Sequence, residues 1–363
     1  MTNEFRKIIR FFKIYGLGRT YVKVIGRLRI NPLIKLPFSF IFNAKKEIAV
    51  IGAGQFAFAN IGYYLYKKKG NCVLGVFDIN IDNSSSFAKY YRTNVYNNAD
   101  ELIYHEKVKY VYIASNHASH TDYAIKALNA NKIVYIEKPI SVSKDQYSEL
   151  MKARKGKIIY VGYNRPLSPA LFLINKHLKV KNRESLTLNC FVTGHKIAKD
   201  HWYRNYNEGT RVCGNIGHWL DLSINLLNKL GLPNRMEITI NPSNDKEKDD
   251  NVSLVMITDK GDLISIILSS REEPFEGINE SINIQHSNLI AKIDDFRKLT
   301  IWNGEKLITK RYFRKNVGHK NAILQPFTNR YKRDFHEIEI STRLMLEITE
   351  GIRNNKNKIT FQF

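Results

Sequence analysis

The chain has 363 residues, 43% of them hydrophobic and 12% aromatic, enough for two folded domains and too apolar for large-scale disorder. Its net charge of +23 raises the question of a nucleic-acid partner, but Lys, Asn and Ile enrichment runs throughout and no nucleic-acid module is recognisable, so none is expected. Cys72, Cys190 and Cys213 are widely spaced, with no CxxC pair and no matching His cluster; neither a disulfide framework nor a zinc site is signalled, and a reducing, cytoplasmic setting is expected.

Residues 1–45 stand apart from the rest of the chain. In "EFRKIIRFFKIY" the apolar Phe5, Ile8, Ile9 and Phe12 recur at helical spacing, and Arg6, Arg10 and Lys13 follow the same period on another face. After the "GLG" break, Tyr21, Val22, Ile25 and Leu28 repeat the apolar stripe beside Arg19, Lys23 and Arg27. Such basic amphipathic helices lie on an anionic membrane surface or pack on protein, and periodicity does not choose between the two. The charges interleaved through the N-terminus, and the lack of any run of eighteen or more apolar residues, predict neither a signal peptide nor a membrane span.

From residue 47 short β-branched runs alternate with helical stretches: "EIAVIG", a helix over 55–68, "NCVLGVFD", "VKYVYIA", the helix "SHTDYAIKALNA", "KIVYIE", a helix near 143–154 and "KIIYVGY". That alternation predicts a doubly wound parallel sheet, the Rossmann pattern, over residues 46–165. Gly52, Gly54 and Ala57 form GxGxxA between the first strand and its helix, with Gln55 and Phe56 in the same turn. The first glycine permits a tight turn, the second lets backbone approach a pyrophosphate, and the alanine lets the helix pack closely. The next strand ends at Asp78, placed for the adenosine ribose hydroxyls; its charge favours NAD over NADP, a preference that a neighbouring basic residue would soften.

Two further segments end parallel strands on the ligand side of such a sheet. In "SNHASH", Asn116 and His117 are expected to face the cofactor, and His120 to cap or pack its helix. In "YIEKPIS", Glu137 and Lys138 stand at the strand end and Pro139 excludes a regular helix start immediately after it. By itself this lysine could be a solvated turn residue.

Residues 166–363 change character. A long helix is predicted at about 212–229, then the alternating stretches "RMEITI", "NVSLVMI", "DLISIILSS", "ESINIQ", "KLTIW" and "KLITKRYF", and a final helix near 333–354. Strands without intervening helices predict an α+β domain with an open, mainly antiparallel sheet; such a sheet commonly pairs with another copy, so a homo-oligomer is expected.

The GxGxxA turn, "SNHASH", "EKP" and "VGYNRPLSP" at 161–169 resemble, in order and spacing, the Gfo/Idh/MocA oxidoreductase family, and "KDHWYRNYNEGTRVCGNIGHWLDL" at 199–222 resembles the substrate-domain signature of its polysaccharide-cluster, inositol dehydrogenase-like branch. The likeness runs from about residue 46 to the C-terminus, is strongest up to 230, and omits the N-terminal helices. It implies NAD(P)-dependent hydride transfer at a hydroxyl or keto carbon of a sugar or sugar nucleotide, in surface polysaccharide biosynthesis, with the nicotinamide in a cleft between the two domains. Lys138 is then the catalytic lysine and His218 its acid/base partner, an assignment consistent with the desolvation that draws a buried lysine's pKa towards neutrality and with the ordinary titration of histidine there. Asn164 and Arg165 are expected at the cofactor, and Tyr163, His201, Trp202, Arg211 and Asn215 at the substrate. Two alternatives stay open at this point: Tyr163 as a core residue, and the Trp202 face as a pocket closure rather than a sugar platform. One departure matters. The family's common pattern has an acid three or four residues before the histidine, where this chain has Asn215 and Gly214. An amide hydrogen-bonds a hydroxyl but takes no proton, which leaves a non-catalytic cofactor-binding scaffold as the alternative. Asp221 is expected to orient His218 or hold its helix.

Overall fold

The structure is a computed structural model and describes residues 3–41, 43–178, 183–272, 274 and 277–363. Two units divide the chain, Met1–Gly162 with His319–Arg333, and Tyr163–Gly318 with Asp334–Phe363.

The first unit opens with helices α1 (Asn3–Tyr15) and α2 (Leu17–Leu28). Six strands come next, β1 (Ile48–Ile51), β2 (Val73–Phe77), β3 (Asn94–Val95), β4 (Tyr110–Ile113), β5 (Ile133–Ile136) and β6 (Ile159–Val161), all parallel and ordered β3-β2-β1-β4-β5-β6. The order reverses between β1 and β4, and in such a sheet the carboxyl ends at that reversal are where ligands bind. Between the strands lie α3 (Tyr63–Lys69), α4 (Ile81–Tyr91), α5 (Ala99–Tyr104), α6 (His120–Asn129) and α7 (Lys144–Arg154). A π-helical turn, Ala57–Gly62, precedes α3 within the single helix expected there. The serine-rich "IDNSSSFAKYY", not foreseen as helical, forms α4: the Asn80 side chain accepts from the Asp82 and Asn83 N–H groups, and Phe87, Tyr90 and Tyr91 are buried. These rings meet Phe58 at 6.0, 5.1 and 5.4 Å between centroids, which ties α4 to the π-helical turn ahead of α3 through aromatic packing.

The basic extension is part of this core. Val22 and Ile25 of α2 join the cluster containing Phe58 and Tyr63. Gly26 has to be small, since a Cβ there would stand 2.6 Å from the Phe58 ring. Arg19 donates to Asn60 at 2.5 Å and to the Tyr64 hydroxyl. Periodicity had left two partners open for these helices; α2 takes protein. On α1 the two kinds of face separate, with Ile14 buried and Phe5, Ile8 and Phe12 exposed.

The second unit starts with α8 (Pro169–His177), then β7 (Leu186–Thr193), a π-helical turn Val212–Ile216 and α9 (Gly217–Leu230). The strands β8 (Arg235–Pro242), β9 (Val252–Thr258), β10 (Leu263–Ser269), β11 (Asn279–His286), β12 (Leu289–Asp294), β13 (Lys298–Asn303) and β14 (Lys306–Arg311) succeed them. The chain then enters the first unit as α10 (His319–Ile323), where Ile323 O accepts from the Tyr112 hydroxyl at 2.7 Å, before α11 (Phe335–Arg353) and β15 (Lys358–Gln362) complete the second. The nine-stranded sheet is ordered β14-β13-β12-β11-β7-β10-β9-β8-β15; β7 and β10 pair in parallel and the other neighbours antiparallel. The expected mainly antiparallel sheet is therefore present, with β7, β12 and β15 added. β7 and β12 bury alternate residues, Leu186, Leu188, Cys190 and Val192 in one and Leu289, Ala291 and Ile293 in the other.

Candidate functional site

In the first unit the site grows from the turn after β1. Gly52 has φ +89°, and a Cβ there would stand 2.5 Å from the Ala114 backbone, so glycine is required twice over. Around Gly54 nothing lies within 4 Å of where a Cβ would stand, which leaves the backbone bare on that side. Ala57 is fully buried against the sheet. Asp78 at the end of β2 accepts from the Ala53 N–H at 2.6 Å through Oδ2 and from the Asn80 N–H at 2.8 Å through Oδ1, fixing it beside the glycine turn. This is a fit for a dinucleotide: an open backbone cradle for a pyrophosphate and a carboxylate held for ribose hydroxyls. Gln55 and Phe56 point elsewhere. The Gln55 side chain donates to Lys23 O at 2.8 Å, and the Phe56 ring lies 5.6 Å from His319.

At the end of β4, Asn116 is exposed and its Oδ1 accepts from the Ser119 hydroxyl at 2.7 Å, while His117 is buried. His120 bridges two loops: its ring nitrogens lie 2.7 Å from Pro139 O and 3.1 Å from Ser115 O. That contact holds the "EKP" exit against the β4 exit. Glu137 is buried and accepts from the Tyr135 hydroxyl at 2.6 Å; Gly162 has no room for a side chain, since a Cβ would stand 2.5 Å from Glu137 Oε2. Burial pushes the Glu137 carboxyl up from 4.5 to about 7, opposed by the Tyr135 hydrogen bond and by the charge of Lys138. Lys138 itself is half-buried at the mouth of this group, and the peptide it shares with Pro139 is cis.

Because the folded state holds the Glu137 proton above the pH at which the unfolded chain releases it, the stability this group contributes is present below about pH 4.5 and lost as pH rises through about 7. Relative to Glu137→Gln, the native chain should thus lose at most ~3 kcal/mol between pH 4.5 and 8. Denaturant dependence of amide exchange in β5 at the two pH values reads this out; a difference that stays flat or rises with pH refutes it.

The second unit carries the other predicted residues. Asn215 lies in the π-helical turn ahead of α9, buried, with an Oδ1 that has no hydrogen-bond partner among the described residues. His218 is half-buried in the first turn of α9, its ring 6.0 Å from that of Tyr163 and nearly perpendicular to it. Tyr163 is buried, and Gly217 packs closely on it: a Cβ there would stand 3.2 Å from the Tyr163 hydroxyl. Asp221, also buried, accepts from the Ser341 hydroxyl of α11 at 3.4 Å and so ties α9 to its neighbour. A π turn shifts side chains off the regular helical face and is frequent at functional sites.

Three residues expected at ligands are engaged by the protein. Arg165 forms a buried fork to Glu280, at 2.8 and 3.1 Å, and stacks over Trp219 at 4.3 Å. Asn164 donates to Val317 O at 2.6 Å. Arg211 pairs with Asp250 at 3.1 Å and donates to His195 O at 2.8 Å. His201 accepts from the Tyr203 N–H at 3.2 Å and stacks on the exposed Trp202, and desolvation and Arg204 lower its pKa. Glu280 escaped the sequence reading, although a signal existed: it is in phase with the buried Ile282 and Ile284 of β11, where a charge needs a partner. Among the described residues no cluster of metal-binding side chains is present.

Residues 46–163 match the model of an oxidoreductase family with an NAD-binding Rossmann fold, Gfo/Idh/MocA. A glucose-6-phosphate 3-dehydrogenase of Bacillus subtilis is 36% identical over 103 residues, 28% of this chain and 29% of that one. An inositol 2-dehydrogenase of Klebsiella pneumoniae is 25% identical over 189 residues, 50% of this chain and 54% of that one. The chain thus spans at most about half the length of these curated relatives. A crystal structure of a putative myo-inositol dehydrogenase from Sinorhizobium meliloti superposes with a TM-score of 0.68 over 86% of this chain and 98% of that one at 16% identity, which shows a shared fold. Residues 46–163, with their open glycine turn and the acid at the end of β2, are thus similar to the NAD-binding domain of the Gfo/Idh/MocA oxidoreductase family.

Proposed function

We propose that the chain is an NAD-dependent oxidoreductase acting on a hydroxyl-bearing or keto carbon of a sugar or nucleotide sugar, in surface polysaccharide biosynthesis. The observation that carries the reading is the bare backbone at Gly54 beside a fixed Asp78, in the same unit as a half-buried Lys138 at a strand's carboxyl end. NAD, when bound, supplies the hydride acceptor or donor. The glycine turn and Asp78 would hold its pyrophosphate and ribose, with Asn116, His117 and Glu137 at neighbouring strand ends. Lys138 Nζ then takes or gives the hydroxyl proton and His218 assists it; Asn215, with its free Oδ1, orients a hydroxyl. The relatives named for a sugar phosphate and a cyclic polyol support this substrate class. Incubation with NAD or NADH and a panel of nucleotide sugars, sugar phosphates and inositols tests it by absorbance at the nicotinamide band. Cofactor binding without turnover on any member would favour the second reading, a non-catalytic scaffold, which the amide at Asn215 in place of an acid supports.

The place of work is inferred from the extension. Residues 5–46 contain eleven Lys or Arg and no acidic residue, and Phe5, Ile8 and Phe12 stand exposed along one side of α1 beside Arg6, Arg10 and Lys13. That face fits peripheral contact with an anionic membrane, where lipid-linked sugars reside. No helix among the described residues is long and apolar enough to cross a membrane. Because Val22 and Ile25 belong to the core, removing residues 1–45 would damage the fold; Ile8→Glu with Phe12→Glu is the sound test. The double variant should lose co-sedimentation with phosphatidylserine vesicles that the native chain shows, and equal sedimentation of both refutes membrane contact. The nine-stranded sheet exposes Phe191, Ile257, Ile290 and Trp302, a surface for a second copy of the chain; light scattering should then give a multiple of 42.2 kDa, and a monomer mass refutes that.

A further inference from the structure

The extension contributes one side chain to the adenosine end of the dinucleotide site. Arg29 ends α2 in a left-handed conformation, φ 54°, and its Nη1 donates to Ala53 O at 3.0 Å and to the Ser86 hydroxyl of α4 at 3.1 Å. Ala53 is the middle residue of Gly-Ala-Gly, so Arg29 holds its carbonyl while Asp78 holds its N–H. The guanidinium also lies 5.5 Å from the Phe58 ring centre, and Asp78 is the charged group acting on it. Its Nε and Nη2 have no hydrogen-bond partner among the described residues. Around the same spot stand Asn83, whose Nδ2 lies 3.5 Å from Asp78 Oδ1, and Ser86.

An acid at the end of β2 accepts ribose hydroxyls and repels a 2′-phosphate, whereas an arginine nearby accommodates one. Here both are present, and the arginine comes from outside the sheet's own connections. We infer that Arg29 makes the adenosine end of this site accept a 2′-phosphate beside Asp78, so that the chain uses NADP(H) as well as NAD(H), with the free guanidinium N–H groups as the phosphate donors. The inference rests on the dinucleotide reading. It also assigns the extension a part in cofactor choice, since α2 is held beside the turn by packing Gly26 on Phe58 and by the Gln55 contact to Lys23 O.

Fluorescence titration of NADH and NADPH against the native chain and against Arg29→Ala and Arg29→Gln tests this without any substrate. The native chain should bind both, NADPH within about tenfold of NADH, and the variants should bind NADPH about 10- to 100-fold more weakly, with NADH changed less than about threefold. Arg29→Gln keeps a donor for Ala53 O, so it separates phosphate recognition from support of the turn. A parallel fall for both cofactors in both variants would make Arg29 a support of the turn and overturn the inference. NADH binding with no NADPH binding by the native chain would overturn it too. If the native chain bound neither, the dinucleotide reading itself would fall, and the inference with it.

Discussion

Lys138→Met is expected to lower kcat by about 10²- to 10⁴-fold on the best substrate of the panel while the affinity for NADH stays within a few-fold of native. Methionine is close to lysine in length and keeps the apolar stem, so the substitution removes a proton-transfer group and little packing. The surroundings of Lys138 explain why the cost falls on turnover. Glu137 behind it is buried and holds the Tyr135 hydroxyl, and His120 fixes Pro139 O after it, so the lysine sits on a backbone clamped from both sides. The glycine turn and acid proposed to hold the pyrophosphate and ribose, Gly52, Gly54 and Asp78, stand instead at other strand ends. His218→Ala should also lower kcat, and the double variant should lose less than the product of the two single losses if both act on one proton. Native-like turnover in Lys138→Met would remove the lysine from the chemistry and leave His218 to carry it.

What the sequence could disclose depended on how far each residue's partner lies along the chain. Gly52, Gly54, Ala57 and Asp78 work through local backbone geometry, and their spacing between a strand and a helix was enough to place them. Arg165 and Asn164 were expected at the cofactor from the likeness of their segment to the family; that Arg165 pairs with Glu280, 115 residues away, and that Asn164 finds Val317 O 153 residues on, no local pattern announces. The amphipathic stripe of the extension gave two helices correctly and left their partner open, since an apolar face is the same for lipid and protein. Gly26, at the contact with Phe58, was the local clue for protein. Arg29 carried no clue at all: on a helix with a basic face it is one more charge until the fold brings it to Ala53 O. α4 was hidden for a different reason. Its serines favour turns and caps, and its helix forms because Asn80 caps it and Phe87, Tyr90 and Tyr91 bury against Phe58.

Glu280→Ala is expected to cost about 3–5 kcal/mol of stability in the second unit. Glu280 is 1% exposed and Arg165 5%, and the carboxylate accepts two bonds from Arg165 and one, at 2.8 Å, from Trp219 Nε1. Removing it strands a guanidinium and an indole N–H in a closed interior, so the loss is the desolvation of those donors and exceeds the worth of the contacts themselves. The unit reports on itself: Trp202, Trp219 and Trp302 all fall within it, so tryptophan fluorescence in urea follows its unfolding without interference from the first unit. Arg165→Met with Glu280→Met should recover at least half of the loss, because an apolar pair of similar volume leaves only the Trp219 N–H unsatisfied. A midpoint unchanged in Glu280→Ala would show that the ion pair supports nothing. The effect should also reach turnover, since Trp219 follows His218 directly on α9: with its indole no longer anchored, His218 loses a fixed orientation, and kcat should fall in Glu280→Ala under conditions where the unit stays folded.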